Sequence, residues 1–273
     1  MRKKKAVGRF FLYFTAIAVA IIILVPFYIL IVNSFKSQKE IVMNILAFPS
    51  KLSFDNYVKA FEKLNFMSAA YYSLVVTITS VAALVYFPAM MAWQLVRGKH
   101  RASAFVFGSL VFSMLVPFHS IMLPLVQVTD VLKFNGPYTM WVVYLGQGAA
   151  MAAFLFHGYV KSVPLEIEES ALIEGCNPWQ VFHRIVYPLL KPMVVTIAVL
   201  EIMWAWNDYL MPKLVLNDTE TLPIAIQMFN AGIYGKQIDM MITAVVIMLI
   251  PVMIFYIFAQ KYIIEGMVAG AIK

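Results

Sequence analysis

The sequence predicts an all-helical protein that crosses a lipid bilayer about six times. Hydrophobic residues make up 62% of the chain, charged residues only 13%, and the mean hydropathy is +0.82. A water-soluble protein of 273 residues could not cover its surface with so few charges. Unpaired backbone groups are not tolerated in lipid, and strand-like alternation of apolar and polar residues is absent. The apolar runs are therefore predicted to be helices.

The predicted elements follow from charge-free runs, since roughly 20 apolar residues are needed to cross about 30 Å of hydrocarbon. A basic tail (residues 1–9) precedes the first span (residues 10–35), whose apolar run is too long for a cleaved signal peptide. The predicted spans are residues 10–35, 64–96, 102–129, 134–160, 192–212 and 240–260. Kinks are predicted at Pro26, Pro88, Pro117, Pro124 and Pro251.

The distribution of basic residues predicts the orientation of these spans. With the N-terminus inside, all five arginines fall in inner segments. The basic residues of the outer segments are all lysines. The excess of basic residues behind the net charge of +7 is therefore explained by membrane orientation and does not indicate nucleic-acid binding. Both termini, including the tail at residues 264–273, are expected in the cytoplasm.

The first outer loop, residues 36–63, is predicted to contain a short amphipathic helix. Ser53 stands where an N-cap is expected, and helical spacing is shown by Phe54, Tyr57, Val58, Phe61 and Leu64. Two interpretations stay open for this helix. It lies on the membrane surface, or it is a docking surface for an extracellular partner.

The inner segment at residues 161–191 is predicted to form a helical hairpin. Pro164 suits the first turn of one helix, and Gly175 suits its left-handed end. Asn177 and Pro178 are typical of the N-cap and first residue of a second helix. The apolar stripe of that helix comprises Trp179, Phe182, Val186 and Leu190. Such residues need burial, for which a cytosolic partner is a natural candidate; an inter-span loop without a partner is the alternative.

This hairpin resembles the EAA loop of ATP-binding-cassette (ABC) importer permeases. The family pattern is Glu-Ala-Ala, three residues, Gly, nine residues and Ile-x-Leu-Pro. The same spacing here joins Glu169-Ser170-Ala171, Gly175 and Ile185-Val186-Tyr187-Pro188, with Ser170 and Tyr187 as departures. Residues 206–212 (Trp-Asn-Asp-Tyr-Leu-Met-Pro) resemble a segment of carbohydrate-importer permeases. Residues 260–273 resemble the tail of the second permease of maltose-type transporters.

The resemblance implies a type I ABC importer permease fold, with a permease core at residues 64–263 that includes a coupling loop at 161–191. It implies a non-enzymatic, multi-pass subunit of a prokaryotic cell membrane. Its expected partners are a second, different permease, two ATPase subunits that bind ATP and Mg²⁺, and an extracytoplasmic binding protein that delivers a carbohydrate. This chain is expected to bind no cofactor or metal. The residues implied at the ATPase contact are Glu169, Ser170, Ala171, Gly175, Ile185 and Pro188.

Four residues of the fifth predicted span are candidates for the solute pathway: Glu201, Trp204, Asn207 and Asp208. A carboxylate inside the bilayer costs about 2.5–3.5 kcal/mol on insertion scales, so Glu201 is expected to face a cavity or a partner. An interhelical hydrogen bond is the alternative. Trp204 suits stacking on a sugar ring or anchoring at the interface, and Asn207 suits binding to a hydroxyl.

Two other classes of function are less well supported. An ATP-independent secondary transporter or channel predicts several paired intramembrane charges and repeated halves, whereas only Glu201 and Asp208 interrupt the spans. An intramembrane enzyme needs a catalytic cluster, and the spans contain no His-Glu-x-x-His pattern.

Cys176 is the single cysteine, which excludes an internal disulfide and a multi-thiolate metal site.

Overall fold

The computed structural model describes residues 2–98, 101–230 and 237–271, with side chains described over 11–98, 101–227 and 237–258 and at 260. Within these ranges all regular structure is helical, which confirms the predicted fold class. The helices are α1 (Arg2–Ser34), α2 (Gln38–Met43), α3 (Asp55–Lys63), α4 (Phe66–Arg97), α5 (Arg101–Ser113), α6 (Phe118–Leu132), α7 (Met140–Val160), α8 (Leu165–Ile173), α9 (Pro178–Val181), a π-helical turn (Phe182–Val186), α10 (Tyr187–Leu189), α11 (Lys191–Asn207), α12 (Leu210–Val215), α13 (Leu222–Asn230) and α14 (Ile238–Ala271).

Four of the described helices are long and apolar enough to cross a membrane by themselves. They are α1 over Phe11–Ser34, α4, α7, and α14 over Ile238–Phe258. Two bent pairs qualify when each pair is counted as one span: α5 with α6, and Pro178–Leu189 with α11. The described chain therefore offers up to six spans, in agreement with the predicted number.

The span predicted over residues 102–129 is present as a pair of helices with a sharp bend, and the predicted kink at Pro117 is a full break between them. α5 ends at Ser113, α6 begins at Phe118, and the two helices meet at 106°. Pro117 stands between them in an extended conformation, with φ −63° and ψ 135°. Proline lacks an N–H donor and disfavours helical geometry in the preceding residue, so the helix breaks here. The other four predicted kinks, at Pro26, Pro88, Pro124 and Pro251, lie inside helices that continue past them.

The chain divides into two compact units, of which the first comprises Met1–Met67 and Ala225–Pro251. In this unit a network of buried polar groups holds residues 36–63 to the end of α1. Lys36 is only 1% exposed, and its Nζ donates to Asn33 Oδ1 and to the Asn44 carbonyl, both at 3.0 Å. Asn56 Nδ2 donates to the carbonyls of Ser34 (3.1 Å) and Lys36 (2.8 Å). The loop at residues 36–63 is therefore held in a defined conformation against the end of α1.

The predicted amphipathic helix of this loop is confirmed as α3. It begins at Asp55, so Ser53 stands just before the N-cap position, and Ser53 Oγ accepts a hydrogen bond from the Asp55 N–H at 3.1 Å. Ala60 is buried, whereas Val58 and Phe61 are exposed. Part of its apolar surface is therefore left uncovered by this chain.

The second unit comprises Ser68–Ile224 and Val252–Lys273 and contains two buried apolar clusters. One joins α4, α7 and α11 to the segment between α7 and α11, with Trp93, Phe156, Phe182 and Ile197 among its members. The other joins α4 and α7 to α11 and α12. Small residues of α7, including Ala152 and Ala153, are fully buried and permit close helix packing. The first cluster is the base on which the candidate site is built.

Candidate functional site

The predicted hairpin is present, and its first helix ends in a Schellman motif. α8 begins at Leu165, directly after Pro164. At its other end Gly175 has φ +91°, the left-handed conformation predicted for it. The Gly175 N–H donates to the Leu172 carbonyl (3.1 Å), and the Cys176 N–H donates to the Ala171 carbonyl (3.0 Å). This geometry turns the chain sharply towards the second helix.

The second half of the hairpin begins with a reciprocal capping box. Asn177 Oδ1 accepts from the Gln180 N–H, and Gln180 Oε1 accepts from the Asn177 N–H, both at 2.9 Å. Pro178 follows at the first helical position, so the predicted cap is confirmed. Both ends of the tight connection are therefore satisfied locally, and we call residues 165–189 the α8–α10 hairpin.

A π-helical turn, which the sequence did not predict, interrupts the hairpin at Phe182–Val186. Single π-helical turns inside α-helices are often found at functional sites. Here His183 Nδ1 lies 2.8 Å from the Trp179 carbonyl, and Nε2 lies 2.8 Å from the Tyr86 hydroxyl on α4. A carbonyl oxygen only accepts, so Nδ1 donates, and in the neutral ring Nε2 accepts from the tyrosine. The turn thereby connects the hairpin to α4.

The hairpin buries one apolar face and exposes another. Phe182, Val186 and Leu190 of the predicted stripe are buried in the cluster with α4 and α7. Trp179 is 60% exposed, and Ile173 is 87% exposed. Further exposed apolar side chains on α8 are Leu165, Ile167 and Leu172. An anchored hairpin that still exposes this much apolar surface is suited to receive another protein.

Glu168 anchors α8 to the last turns of α4. Its side chain is only 5% exposed, and both carboxylate oxygens accept hydrogen bonds. Arg97 donates to Oε1 from Nη2 (2.7 Å) and Nε (3.0 Å), and Trp93 Nε1 donates to Oε2 at 2.9 Å. Arg97 Nη2 also donates to the Val163 carbonyl at 2.8 Å. Sequence reasoning missed this triad, because its members are 71 and 75 residues apart.

The residues implied at the ATPase contact lie on one hairpin but not on one face. The exposed members are Glu169, Ser170, Gly175 and Pro188. Ala171 is buried in the chain's own apolar cluster, and Ile185 is partly buried against it. The small size of Ala171 therefore lets α8 lie close to α4 and α7.

The four candidates for the solute pathway differ in their surroundings. Glu201 is a buried residue of α11, only 6% exposed, whereas Trp204 and Asn207 of the same helix are exposed. Asn207 Nδ2 donates to the Met203 carbonyl of its own helix at 2.7 Å. Trp204 meets Tyr144 edge to face, with ring centroids 5.0 Å apart. The four therefore differ in exposure and in the groups that they contact.

Asp208 has a clear local role at the end of α11. Its Oδ2 accepts from the Tyr144 hydroxyl at 2.9 Å, and its Oδ1 accepts from the Leu210 N–H at 3.0 Å. It also accepts from the Met211 N–H at 3.3 Å, so it caps α12 and holds α7 at the same time.

The tail motif around Gly266, Gly270 and Lys273 lies outside the described side chains. Within the described part of the chain, no group of three or more His, Cys, Asp or Glu residues is placed to hold a metal ion.

Comparison with known proteins places these features in context. Residues 85–268 match the model of a family described as binding-protein-dependent transport system inner membrane component. The chain is 37% identical over 273 residues to the probable starch degradation products transport system permease protein AmyC of Thermoanaerobacterium thermosulfurigenes, covering 99% of each chain. It is 31% identical to the multiple sugar-binding transport system permease protein MsmG of Streptococcus mutans, covering 100% of each.

A third relative and a solved structure extend the comparison. The arabinooligosaccharides transport system permease protein AraQ of Bacillus subtilis is 30% identical, covering 93% of this chain and 92% of the relative. The structural match is a chain of a bacterial ABC transporter involved in the import of the acidic polysaccharide alginate. Its TM-score is 0.76 at 21% identity, covering 93% of this chain and 96% of the other. That match supports the fold.

Proposed function

This chain belongs to the family of binding-protein-dependent transport system inner membrane components, and we propose that it conducts a carbohydrate through an ABC importer. It is a multi-pass membrane permease subunit and not an enzyme, because the family places ATP hydrolysis on separate subunits. The carbohydrate is either a monosaccharide or an oligosaccharide. Support comes from the relatives at 30% identity or more, which are named for starch degradation products, multiple sugars and arabinooligosaccharides.

The α8–α10 hairpin is the proposed seat of the ATPase subunit on the cytoplasmic side. The observation that carries this proposal is the exposed apolar surface of an otherwise well-anchored hairpin, with Ile173 and Trp179 at its most exposed positions. Glu169 and Ser170 are exposed on the same helix. A cleft on a partner that covers Ile173 and Trp179 would bury apolar surface. Each Å² buried in this way would stabilise the complex by about 25 cal/mol.

The proposed assembly contains this chain, a second and different permease, two ATPase subunits with ATP and Mg²⁺, and an extracytoplasmic binding protein. The exposed side chains Trp204 and Asn207 suit contact with a solute between the two permeases. Glu201 and Asp208 are less accessible to a solute, since Glu201 is buried and Asp208 caps α12. We keep all four as proposed pathway residues, with Trp204 and Asn207 first.

Reconstitution tests the proposal. The chain is co-expressed with its proposed partner permease, ATPase and binding protein, and the complex is placed in proteoliposomes. ATP-dependent uptake of labelled mono- and oligosaccharides is expected, with binding protein required. Uptake that proceeds without ATP, or failure of any ATPase to co-purify, would support the secondary-transporter alternative.

The hairpin is tested with two variants at one position. Ile173→Asp places a charge on the exposed apolar surface, and Ile173→Val keeps that surface apolar. Only the aspartate variant is expected to lose the ATPase subunit during purification. Equal retention in both variants would argue against this face as the docking site.

A further inference from the structure

We propose that Glu168 and Arg97 are positioning residues that join the α8–α10 hairpin to α4, so that both move as one rigid body during transport. This inference rests on the proposed function, because it concerns how a push on the hairpin reaches the membrane-spanning helices. Glu169 and Ser170, which the resemblance singles out, are instead exposed on the same helix.

The geometry of Glu168 is that of a fixed joint. Every described hydrogen bond to its carboxylate comes from α4, two from Arg97 and one from Trp93. The two Arg97 nitrogens engage a single oxygen while the indole engages the other, so rotation of the carboxylate breaks at least one bond. Because the pair is largely buried, water cannot readily replace a lost partner.

Neighbouring glutamates on α8 divide two tasks. Successive residues of an α-helix point about 100° apart, and here Glu168 points to α4 while Glu169 is exposed. A partner that displaces α8 at the exposed Glu169 therefore also displaces the adjacent Glu168, which is bonded to α4.

A second connection lies on the same helix. The Tyr86 hydroxyl binds His183 of the π-helical turn, and the Phe182 ring lies 5.4 Å from Trp93 and 6.3 Å from Tyr86. Tyr86, Trp93 and Arg97 are separated by seven and four residues, which places them on one face of α4. Both halves of the hairpin are thus fastened to one face of one helix.

α4 is suited to carry the movement onward. It is continuous over 32 residues, which corresponds to about 48 Å at 1.5 Å per residue. That length exceeds the hydrocarbon thickness of about 30 Å. A displacement at its hairpin end therefore reaches the opposite face of the membrane without an intervening loop.

The test measures the ratio of ATP hydrolysed to solute transported in proteoliposomes that contain the whole complex. Arg97→Ala and Glu168→Ala are compared with wild type and with Glu166→Gln, an exposed glutamate of the same helix. We expect the two joint variants to need about ten-fold more ATP per solute, because an uncompensated buried charge loosens the contact. Glu166→Gln is expected to keep the wild-type ratio.

A cross-link separates a rigid joint from a merely stabilising contact. In a Cys176→Ser background, Arg97→Cys and Glu168→Cys are combined and joined by a short bis-maleimide. The raised ATP-to-solute ratio of the double variant is expected to return towards the wild-type ratio after cross-linking. Arrest of transport by the cross-link, or an unchanged ATP-to-solute ratio in both alanine variants, would overturn the proposal.

These outcomes are distinct from failure of the proposed function. If wild type and Glu166→Gln show no ATP-dependent uptake of any solute, the importer assignment itself fails. If they transport normally and the joint variants do also, only the rigid joint is refuted.

Discussion

Replacing Gly175 by alanine or by leucine separates the strain of the turn from contact with a partner. The residue has φ +91°, so any side chain costs about 1–2 kcal/mol of backbone strain. Apart from Gly175 itself and its two chain neighbours, no atom of the described residues lies within 4 Å of the position a Cβ would occupy. Both variants therefore carry the same strain, and only leucine extends bulk from the exposed turn.

The assay follows from that difference. The purified variants are expected to melt at similar temperatures, slightly below wild type, when unfolding is followed by tryptophan fluorescence. In proteoliposomes with the ATPase and binding protein, leucine is expected to lower solute-stimulated ATP hydrolysis about ten-fold relative to alanine, equivalent to roughly 1.4 kcal/mol of docking free energy. Equal hydrolysis in the two variants would refute close seating of a partner at this turn.

Three further predictions use the same local geometry. Asn177→Ala removes the capping box at a cost of about 1 kcal/mol and should speed amide exchange in the hairpin; unchanged exchange would contradict this. Gly148→Ala places a Cβ 2.7 Å from Leu84 Cδ2 and should melt lower than the control Gly146→Ala, whose Cβ meets nothing within 4 Å; equal melting would argue against tight packing there. A membrane-impermeant maleimide should label Cys176 in inside-out vesicles but not in intact cells, and the reverse pattern would invert the predicted orientation.

Most of the secondary structure could be predicted because its signals are local. Long charge-free runs gave α1, α4, α7 and α14, and the Gly175 and Asn177 signals gave both ends of the hairpin connection. The break at Pro117 was only half predicted, as a kink. Whether a proline bends or divides a helix depends on what surrounds the freed backbone groups, and the sequence does not list those neighbours.

The candidate site was predicted in place but not in orientation. The spacing from Glu169 to Pro188 located the hairpin, yet it did not reveal that Ala171 faces the chain's own core. The π-helical turn at Phe182–Val186 also carried no recognised sequence signal. Its contact with Tyr86 comes from another helix, so periodicity within the hairpin could not expose it.

By itself the sequence determined that this protein is a helical bundle in lipid with a capped hairpin between two spans, because hydropathy and capping act over a few neighbouring residues. Only the tertiary structure decided which of two adjacent glutamates is buried. That choice depends on the rotation of α8 against α4, which places Glu168 on Arg97, 71 residues away, and leaves Glu169 exposed.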